Sequence, residues 1–441
     1  MKRVLIITYY WPPAGGPGVQ RWLQFVKYFA GCGIEPIVYV PENPCYPLLD
    51  ESLEAEVPID IEVIKLPIAE PYRFAKVLSR KKTTQISSGI ISNKKQSFVE
   101  KLMLFVRGNY FIPDARVGWV KPSISFLKKY ISKNPVDTII TSGPPHSLHL
   151  IGLKLSAELN LNWIADFRDP WTTIHYHKSL RLTTKAKKKH KALERAVLLE
   201  ADVIVVTSPT TKKEFEAITD KPIEVITNGY ADFLETTRNL DTSFSISHIG
   251  SLLSERNPKL LWKVLSEITS ENNDFKKDLE VKLVGVVSDE IVDSIADYGL
   301  KDNCRLLGYV SHPEAVQIQR NSGVLLLLEI DSEDTRGIIP GKLFEYLAAR
   351  RPIVALGPFN SDIEHIINET KSGRFYNYSQ VEELKLHLLN LYSEFKKGSL
   401  ISVSEGIEKY SRRELTNKMA DVIKNVEKTK PPFSKLPNED S

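Results

Sequence analysis

Short apolar segments alternate with longer segments of helical periodicity, and this alternation begins again after residue 241. Most of the short segments are rich in β-branched residues and apolar on both faces, as the strands of a covered parallel sheet are. The first half has seven of them, over residues 4–10, 36–40, 61–67, 137–143, 162–169, 202–209 and 223–229. The second half has five, over residues 243–250, 280–285, 304–310, 323–329 and 351–357. Two such series in succession predict an α/β fold with two doubly wound sheets.

Helical segments lie between most of these strands, for example at residues 19–30, 147–159, 185–200, 257–269, 288–298, 312–321 and 341–349. A chain of 441 residues is too long for one ordinary hydrophobic core, so we predict two domains, at residues 1–235 and 236–404. A final helix over about residues 405–426 is expected to pack back on the first domain. The polar, proline-containing tail 428–441 is expected to be flexible.

Composition excludes several classes of protein. Hydrophobic residues make up 42% of the chain and charged residues 26%, which is typical of a folded soluble protein rather than a disordered one. No apolar run approaches the roughly 20 residues of a membrane-spanning helix. The three cysteines are scattered and no pair has metal-ligand spacing. We therefore expect no disulfide framework, no metal site and a reducing, cytoplasmic location.

Charge is distributed unequally along the chain. Residues 1–210 contain 29 basic and 18 acidic side chains, a net charge of +11, whereas the remainder has a net charge of −7. Two basic segments, 73–107 and 178–195, lie in the first half, and the former also contains several apolar residues. This combination favours an anionic membrane surface, and thus a peripheral protein on the inner face of the cytoplasmic membrane. A solvated loop and a solvated helix face are the alternative. Nucleic acid is not expected, since aromatic residues are few there and no nucleic-acid motif is present.

A glycine-rich loop joins the first predicted strand to the first helix, with glycines at Gly15, Gly16 and Gly18. Glycine lets the backbone approach a ligand closely, and the N-terminus of the following helix offers N–H groups to an anion. The spacing differs from the dinucleotide-binding motif, and the second strand does not end in an acidic residue. The loop is therefore either a ligand-binding loop or a tight turn.

Polar residues follow two further strands of the first half. His146 lies just after the strand at 137–143, where a helix begins. It either contacts a substrate hydroxyl or phosphate, or is a packed or capping histidine. Asp166, Arg168 and Asp169 end an apolar strand, where charge is costly unless it is paired or functional. They form either a buried structural ion pair or an acceptor-binding cluster with a candidate base.

Two strand-to-helix connections carry the candidate site of the second half. Gly250 and Ser251 follow a strand, and Arg256 near the next helix can neutralise a phosphate. Lys342 lies at the start of a helix that begins after a proline, a combination that favours an anion. Glu345 follows within about two turns and can hold ribose hydroxyls. An exposed arginine and an ordinary amphipathic helix are the alternatives.

Six segments, in their order and spacing, resemble the group 1 (family four) retaining glycosyltransferases. They are residues 9–16, 166–171, 225–229, 249–251, 307–310 and 342–347. The resemblance extends over nearly the whole chain and implies the GT-B fold, in which two Rossmann-like doubly wound domains face a central cleft. It identifies the fold and the class of enzyme but not the sugars.

The resemblance implies a nucleotide-sugar donor held mainly by the second domain. Glu345 matches the second glutamate of the family's Glu-x7-Glu motif, which binds the ribose, and Arg256 matches a phosphate-binding lysine. Residues 309–310 match the segment that flanks the base. The loop at 15–18 matches the glycine loop near the diphosphate and acceptor, and His146 matches a histidine that contacts the donor sugar.

Two positions depart from the family pattern. The first glutamate of the motif is replaced by Gly337, and the family's arginine after the strand glycine is replaced by Ser251. Either Glu333 or Asp334 takes the place of the missing glutamate, or backbone N–H groups of residues 337–342 do. The departures leave the identity of the donor sugar open.

The sequence thus predicts a retaining, metal-independent glycosyltransferase without a cofactor, acting on a nucleotide-diphosphate sugar and a glycan or lipid-linked acceptor in cell-surface polysaccharide or glycolipid biosynthesis. The candidate catalytic residues are His146, Asp166, Arg256 and Lys342. The candidate donor-binding residues are Gly15, Gly16, Gly18, Gly250, Ser251, Tyr309, Val310, Gly337, Gly341 and Glu345. Arg168 and Asp169 are the candidate acceptor-side residues. A sugar-nucleotide epimerase or hydrolase, and a catalytically silent nucleotide-sugar-binding subunit, are the alternatives.

Overall fold

The computed structural model describes residues 1–70, 98–174, 177, 180–231 and 240–427. The chain forms two compact units. Unit 1 contains Met1–Thr227 together with the segment that starts at Arg412, and unit 2 contains Asn228–Ser411. The predicted boundary near residue 235, the predicted tail 428–441 and most of the basic segment 73–107 lie outside the described residues.

Unit 1 is built on a parallel sheet of seven strands, which confirms the seven strands predicted for the first half. Their order is β3-β2-β1-β4-β5-β6-β7. The strands are β1 (Lys2–Ile7), β2 (Ile34–Pro41), β3 (Glu62–Leu66), β4 (Thr138–Gly143), β5 (Asn162–Phe167), β6 (Val203–Val206) and β7 (Ile223–Val225). Because β1 pairs with β2 on one side and with β4 on the other, the direction of winding reverses there. Ligands of open α/β sheets bind at such a switch point, outside the carboxyl ends of the strands.

Helices cover both faces of this sheet. They are α1 (Pro17–Phe29), α2 (Phe98–Tyr110), α3 (Val120–Lys133), α4 (Ser147–Leu159), α5 (Thr184–Glu200) and α6 (Pro209–Glu216). Successive residues of a strand point to opposite faces, so an all-apolar strand feeds two cores. In β1, Val4 and Ile6 join the cluster that contains α1, whereas Leu5 and Ile7 join the cluster that contains α3 and α4.

Unit 2 repeats this architecture with six parallel strands in the order β10-β9-β8-β11-β12-β13. The strands are β8 (Phe244–Ile249), β9 (Leu279–Val284), β10 (Cys304–Gly308), β11 (Val324–Leu328), β12 (Ile353–Leu356) and β13 (Gly373–Tyr376). Strands β8 to β12 confirm the five strands predicted for the second half of the chain. The short edge strand β13 was not predicted, because its glycine, its arginine and its partial exposure give no apolar run.

The helices of unit 2 are α7 (Lys259–Glu271), α8 (Asn273–Asp278), α9 (Asp289–Asp297), α10 (His312–Asn321), α11 (Gly341–Ala349), α12 (Asp362–Thr370) and α13 (Val381–Lys396). The winding reverses between β8 and β11, which pair with each other. Two doubly wound parallel sheets therefore confirm the predicted fold class. None of the helices among the described residues is long and apolar enough to cross a membrane.

A last helix, α14 (Arg412–Asn425), belongs to unit 1. It is shorter than the helix expected over residues 405–426, because a separate 3-10 turn at Ile407–Tyr410 precedes it. Its apolar residues Leu415, Met419 and Ile423 are buried in the same cluster as Trp22 of α1. The helix therefore completes one face of the unit 1 core.

Met419 provides a test of this packing, because it is fully buried. Met419→Ala should lower the free energy of unfolding of unit 1 by about 2–5 kcal/mol, since it leaves a cavity. Five of the six tryptophans lie in unit 1, so denaturant unfolding followed by tryptophan fluorescence reports mainly on that unit. The exposed neighbour Lys418→Ala is the matched control. Equal unfolding midpoints for the two variants would show that α14 contributes nothing to the core.

Candidate functional site

The loops after β1, β4 and β5 lie at one edge of the unit 1 sheet, because parallel strands end on the same side. Gly16 is the N-cap of α1 and has a φ of +99°, which favours glycine. Gly15 donates its N–H to the carbonyl of Leu48 at 3.0 Å. A β-carbon at Gly18 would clash with Nη1 of Arg168. The glycine loop thus allows a guanidinium to lie directly against the start of α1.

Arg168 connects these three strand ends. Its Nη2 donates to the carbonyl of Pro144, its backbone N–H donates to Gly143 at 2.9 Å, and its guanidinium lies 5.5 Å from the centre of the Tyr10 ring. Its Nε is buried and has no hydrogen-bond partner among the described residues. The adjacent Asp169 is half-buried, and burial raises the pKa of its carboxyl group although Arg168 opposes that shift. Arg168 and Asp169 therefore lie at the predicted ligand edge.

Asp166 requires a correction, because the structure contradicts its role as a base. The carboxylate is fully buried and accepts hydrogen bonds from Nη2 of Arg21 (2.9 Å), Nε1 of Trp22 (3.1 Å) and Oγ of Ser142 (2.8 Å). A carboxylate enclosed in this way does not reach a substrate. It anchors α1 to β4 and β5, and its structural ion pair is with Arg21 rather than with Arg168.

His146 lies at the N-cap of α4 and is buried. Its ring stacks on Trp171 at a centroid distance of 5.1 Å. Burial lowers the pKa of His146 well below its usual value, with the neighbouring His149 and Arg168 adding to the shift. Neither ring nitrogen has a hydrogen-bond partner in the described part of the chain. A neutral imidazole of this kind can donate one hydrogen bond to a ligand and accept another.

A buried ion pair supports the same edge and was not predicted. Nε of Arg116 lies 3.0 Å from Oε1 of Glu70, and that oxygen also accepts a hydrogen bond from the Tyr9 hydroxyl at 2.8 Å. The other Glu70 oxygen accepts the N–H of Cys45 at 2.6 Å. This network fixes the loop after β1. Glu70 and Arg116 are far apart in sequence and in none of the six segments, so no local signal identifies their pairing.

In unit 2, Tyr346 docks α11 onto the sheet. Its buried hydroxyl accepts the N–H of Ile249 at the end of β8 (2.9 Å) and donates to the carbonyl of Leu326 in β11 (3.4 Å). Residues four apart on a helix share a face, so this contact directs Lys342 toward the end of β8. No acidic side chain lies in the first turn of α11, and Pro340 provides no side-chain cap. Its N-terminus is therefore positive and uncapped by a side chain.

Lys342 lies between the sheet and the loop after β8. Its Nζ is 3.2 Å from Nε2 of the fully buried His248, and a β-carbon at Gly250 would lie 3.0 Å from the same Nζ. Nδ1 of His248 lies 3.0 Å from the carbonyl of Leu326, so it carries the proton and Nε2 accepts from Lys342. Burial lowers the pKa of His248 well below its usual value, and Lys342 lowers it further, so the ring is neutral.

Arg256 pairs with one buried carboxylate, Glu329, which directly follows β11. Nη2 of Arg256 lies 3.4 Å from Oε2 of Glu329, whose side chain is 2% exposed. Burial raises the pKa of Glu329, and the two cations oppose that rise. Burial lowers the pKa of Lys342 to about 8, with Glu329 opposing and Arg256 adding to the shift. Nε of Arg256 has no hydrogen-bond partner among the described residues.

Glu345 faces α10 rather than the sheet. Its Oε2 accepts a hydrogen bond from Nε2 of the buried Gln319 at 2.8 Å, and its Oε1 lies 3.4 Å from Nε2 of His312. The side chain of Glu345 is 26% exposed. Two partners on α10 therefore orient a carboxylate that solvent still reaches.

The remaining candidates of unit 2 differ in exposure. Ser251 is exposed, and Gly337 and Gly341 are half-buried. Tyr309 follows β10 and is 84% exposed, whereas Val310 packs against the core. Glu333, one of the residues that could take the place of the missing family glutamate, has a side chain that is 83% exposed and pairs with Arg336 at 3.0 Å.

Sequence reasoning missed four polar residues that the structure adds to this group: His248, Gln319, Glu329 and His312. Glu329 had a signal, since it is the charged residue that ends the most apolar strand of the chain. His248 lies within a predicted strand but its partners follow only from strand pairing. Within the described ranges, no three His, Cys, Asp or Glu side chains are placed to hold a metal ion.

Comparisons with known proteins agree with this arrangement. A model described as Glycosyltransferase Family 4 matches residues 92–231, and one described as Glycosyl transferases group 1 matches residues 234–398. Together they span more than half of the chain. A comparison with curated protein sequences finds no match.

Several solved structures are similar in fold. Sucrose-phosphate synthase from Thermosynechococcus elongatus has a TM-score of 0.60 at 12% identity, with 96% of this chain and 98% of that chain covered. WaaG, a glycosyltransferase involved in lipopolysaccharide biosynthesis, has a TM-score of 0.55 at 13% identity, with 96% and 100% covered. A mutant of S. aureus TarM in complex with fondaparinux, alpha-GlcNAc-glycerol and UDP has a TM-score of 0.53 at 12% identity, with 97% of each chain covered. With two matching family models and two doubly wound parallel sheets, the chain belongs to the group 1 / family 4 glycosyltransferases and has their GT-B fold.

Proposed function

We propose that this glycosyltransferase moves a sugar from a nucleoside-diphosphate sugar to an acceptor hydroxyl, with retention of configuration at the anomeric carbon. The observation that carries the proposal is that Lys342 lies beside Gly250 at the N-terminus of α11, while Arg256 in the loop after β8 pairs with the buried Glu329. Two cations and a helix N-terminus suit a diphosphate. The UDP in the S. aureus TarM complex is a ligand of this class.

The same groups supply the chemistry that the reaction needs. As the bond from the anomeric carbon to the diphosphate oxygen breaks, negative charge grows on the diphosphate, and Arg256, Lys342 and the α11 N–H groups stabilise it. The acceptor oxygen bonds to the anomeric carbon on the same face, and its proton passes to the departing phosphate oxygen. No protein nucleophile takes part. The two side-chain cations neutralise the leaving group, so we expect no requirement for a metal ion or another cofactor.

The assignment of the other candidates follows from their positions. Glu345, oriented by Gln319, is proposed to bind the ribose hydroxyls of the donor, since its carboxylate is fixed and partly exposed. In unit 1, His146 is proposed to contact a sugar hydroxyl through its unpartnered ring nitrogens. Arg168 and Asp169 are proposed to serve the acceptor. The involvement of WaaG in lipopolysaccharide biosynthesis supports a cell-surface glycan or glycolipid as the product class.

The two basic segments support an acceptor presented at a membrane. The end of α2 contacts the start of α5: Oδ1 of Asn109 accepts the N–H of Thr183 at 2.8 Å. α2 exposes Leu102 and Phe105, and α5 exposes a row of lysines. Apolar and cationic side chains therefore lie on two adjoining helices, the composition that binds anionic lipid surfaces. We propose a peripheral position on the inner face of the cytoplasmic membrane.

A ligand screen identifies the donor class. Thermal unfolding with UDP-, GDP-, ADP- and CMP-sugars should show one class that stabilises the protein, by about 2.7 kcal/mol at 100 times its Kd. Transfer from a UDP-, GDP- or ADP-sugar to an acceptor would then support the proposal, whereas stabilisation by CMP-sugars, which carry a single phosphate, would contradict it. Turnover of the donor without an acceptor would indicate an epimerase or hydrolase, and binding without any turnover would indicate a silent subunit.

Lys342→Met should lower kcat/KM on the order of 100-fold, because one donor to the leaving diphosphate is lost. Lys263→Met, which removes an exposed lysine of α7, is the control and should leave kcat/KM unchanged. Radiolabelled sugar transfer measures both variants, with and without EDTA. Wild-type activity in Lys342→Met contradicts the role of this lysine, and loss of activity in EDTA contradicts metal independence.

Glu345→Ala should raise KM for the donor steeply while kcat changes less, because ribose binding is the same in the ground state and the transition state. Initial rates over a range of donor concentrations separate the two constants. Thermal unfolding serves as the control for folding, since Glu345 is partly exposed. An unchanged KM would remove Glu345 from the donor site.

Lys185→Ala combined with Lys188→Ala should weaken binding to phosphatidylglycerol vesicles roughly 30-fold at low salt, at about 1 kcal/mol per lysine. Both lysines are exposed on α5. Sedimentation with vesicles measures the binding, and phosphatidylcholine vesicles and the exposed Leu386→Ser in unit 2 are the controls. If wild-type protein does not bind the anionic vesicles, the membrane proposal is wrong.

A further inference from the structure

Beneath Arg256 and Lys342 lies a second set of polar groups whose role in the reaction has not been assigned. The carboxylate of Glu329 and the imidazole of His248 are both buried, at 2% and 0% exposure. Each contacts one cation: Glu329 lies 3.4 Å from Arg256, and Nε2 of His248 lies 3.2 Å from Lys342. Neither is open to a donor molecule. Each instead contacts a cation, Arg256 or Lys342, that a donor molecule can reach.

We propose that Glu329 and His248 are positioning residues, which hold Arg256 and Lys342 as a preformed cationic pair for the donor diphosphate and keep Lys342 charged. The proposal rests on the proposed function, because it needs a diphosphate at these cations. It goes beyond that function by assigning a second layer of residues to the binding of the leaving group.

The geometry of His248 explains how a histidine supports a lysine. Its Nδ1–H donates to the carbonyl of Leu326, which is fixed in β11, so Nε2 is left as an acceptor directed at Nζ of Lys342. A protonated ring would repel the lysine, and burial keeps the ring neutral. The imidazole thus offers a lone pair without a competing charge.

Glu329 supplies the charge balance. Like charges repel and burial disfavours the charge on Lys342, so the buried carboxylate of Glu329, which pairs with Arg256 and attracts Lys342, lowers the cost of holding both cations before the donor arrives. The groups that act on Lys342 are Glu329 from the end of β11, Arg256 from the loop after β8, His248 from β8 and Glu345 from α11 itself. Of the two carboxylates, Glu329 has the larger effect on Lys342.

A pH dependence follows with a definite sign. A bound diphosphate favours charged Lys342, whose pKa in the free protein is lowered to about 8. Below that pH the lysine is charged before binding, so its titration does not change Kd. Above it the lysine must gain a proton on binding, so Kd should rise about tenfold per pH unit until the pKa of the complex is reached. Removing the Glu329 charge should move the onset of this rise to lower pH.

The experiment measures Kd for UDP, GDP and ADP from about pH 6 to pH 9.5 by calorimetry, a range chosen to span the lowered lysine pKa. The nucleotide that binds wild-type protein best is then used with the variants. In Glu329→Gln, the pH at which Kd begins to rise, which is the onset, should be lower by about one pH unit. Glu394→Gln makes the same charge change at an exposed carboxylate of α13 in unit 2, and its onset should match the wild type. An onset for Glu329→Gln equal to that of Glu394→Gln overturns the proposal while leaving the proposed function intact.

A second pair of variants covers the case in which Glu329→Gln does not fold. His248→Gln keeps an acceptor for Lys342, whereas His248→Leu removes it. The pH above which nucleotide binding weakens should stay near the wild-type value in His248→Gln and fall in His248→Leu. In the transfer assay, KM for the donor should rise only in His248→Leu. Equal behaviour of the two variants would mean that His248 fills space only. If none of the three nucleotides binds wild-type protein, the proposed function fails together with this inference.

Discussion

The two hydrogen bonds of the Tyr346 hydroxyl determine the arrangement of the candidate site in unit 2. By accepting from Ile249 and donating to Leu326, one oxygen fixes α11 against β8 and β11 at once. The rest of the site depends on that docking: Lys342 lies on the docked face, next to His248 and Gly250, and Glu345 lies on the side facing α10. A shift of α11 by one residue would rotate both charged side chains away from their partners, since successive helical residues point about 100° apart.

Much of the fold could be predicted because its signals are local. Strands apolar on both faces, such as β1 and β11, belong to covered parallel sheets, and glycines or prolines mark the connections at which ligands bind. The strand β13 was missed since its Gly-Arg-Phe-Tyr sequence is too short and polar to give an apolar pattern. The order of the strands, by contrast, depends on pairing between distant segments, and no local pattern encodes it.

The candidate site was less predictable, because its residues acquire their roles from partners that are distant in sequence. Asp166 had the sequence signature of a functional carboxylate, yet Arg21, far earlier in the chain, encloses it. Glu329 had the same signature of a charged residue after an apolar strand, but here the partner is a cation that stays accessible, since Arg256 is 29% exposed. The net charge of −7 in the second half also misleads, since the local field at Gly250 comes from a few buried groups and not from the sum over the surface.

The position of α14 has a consequence for the order in which the protein folds. Unit 1 is discontinuous in sequence, whereas unit 2 is a continuous insertion from Asn228 to Ser411. On the ribosome, the apolar cluster around Trp22 therefore stays incomplete until Leu415, Met419 and Ile423 have been synthesised, long after the seven strands of its sheet. Unit 2 has all of its strands as soon as β13 emerges and can fold first. Until α14 has been synthesised, a nascent chain carries an uncovered apolar surface along α1, which is open to aggregation or to capture by chaperones.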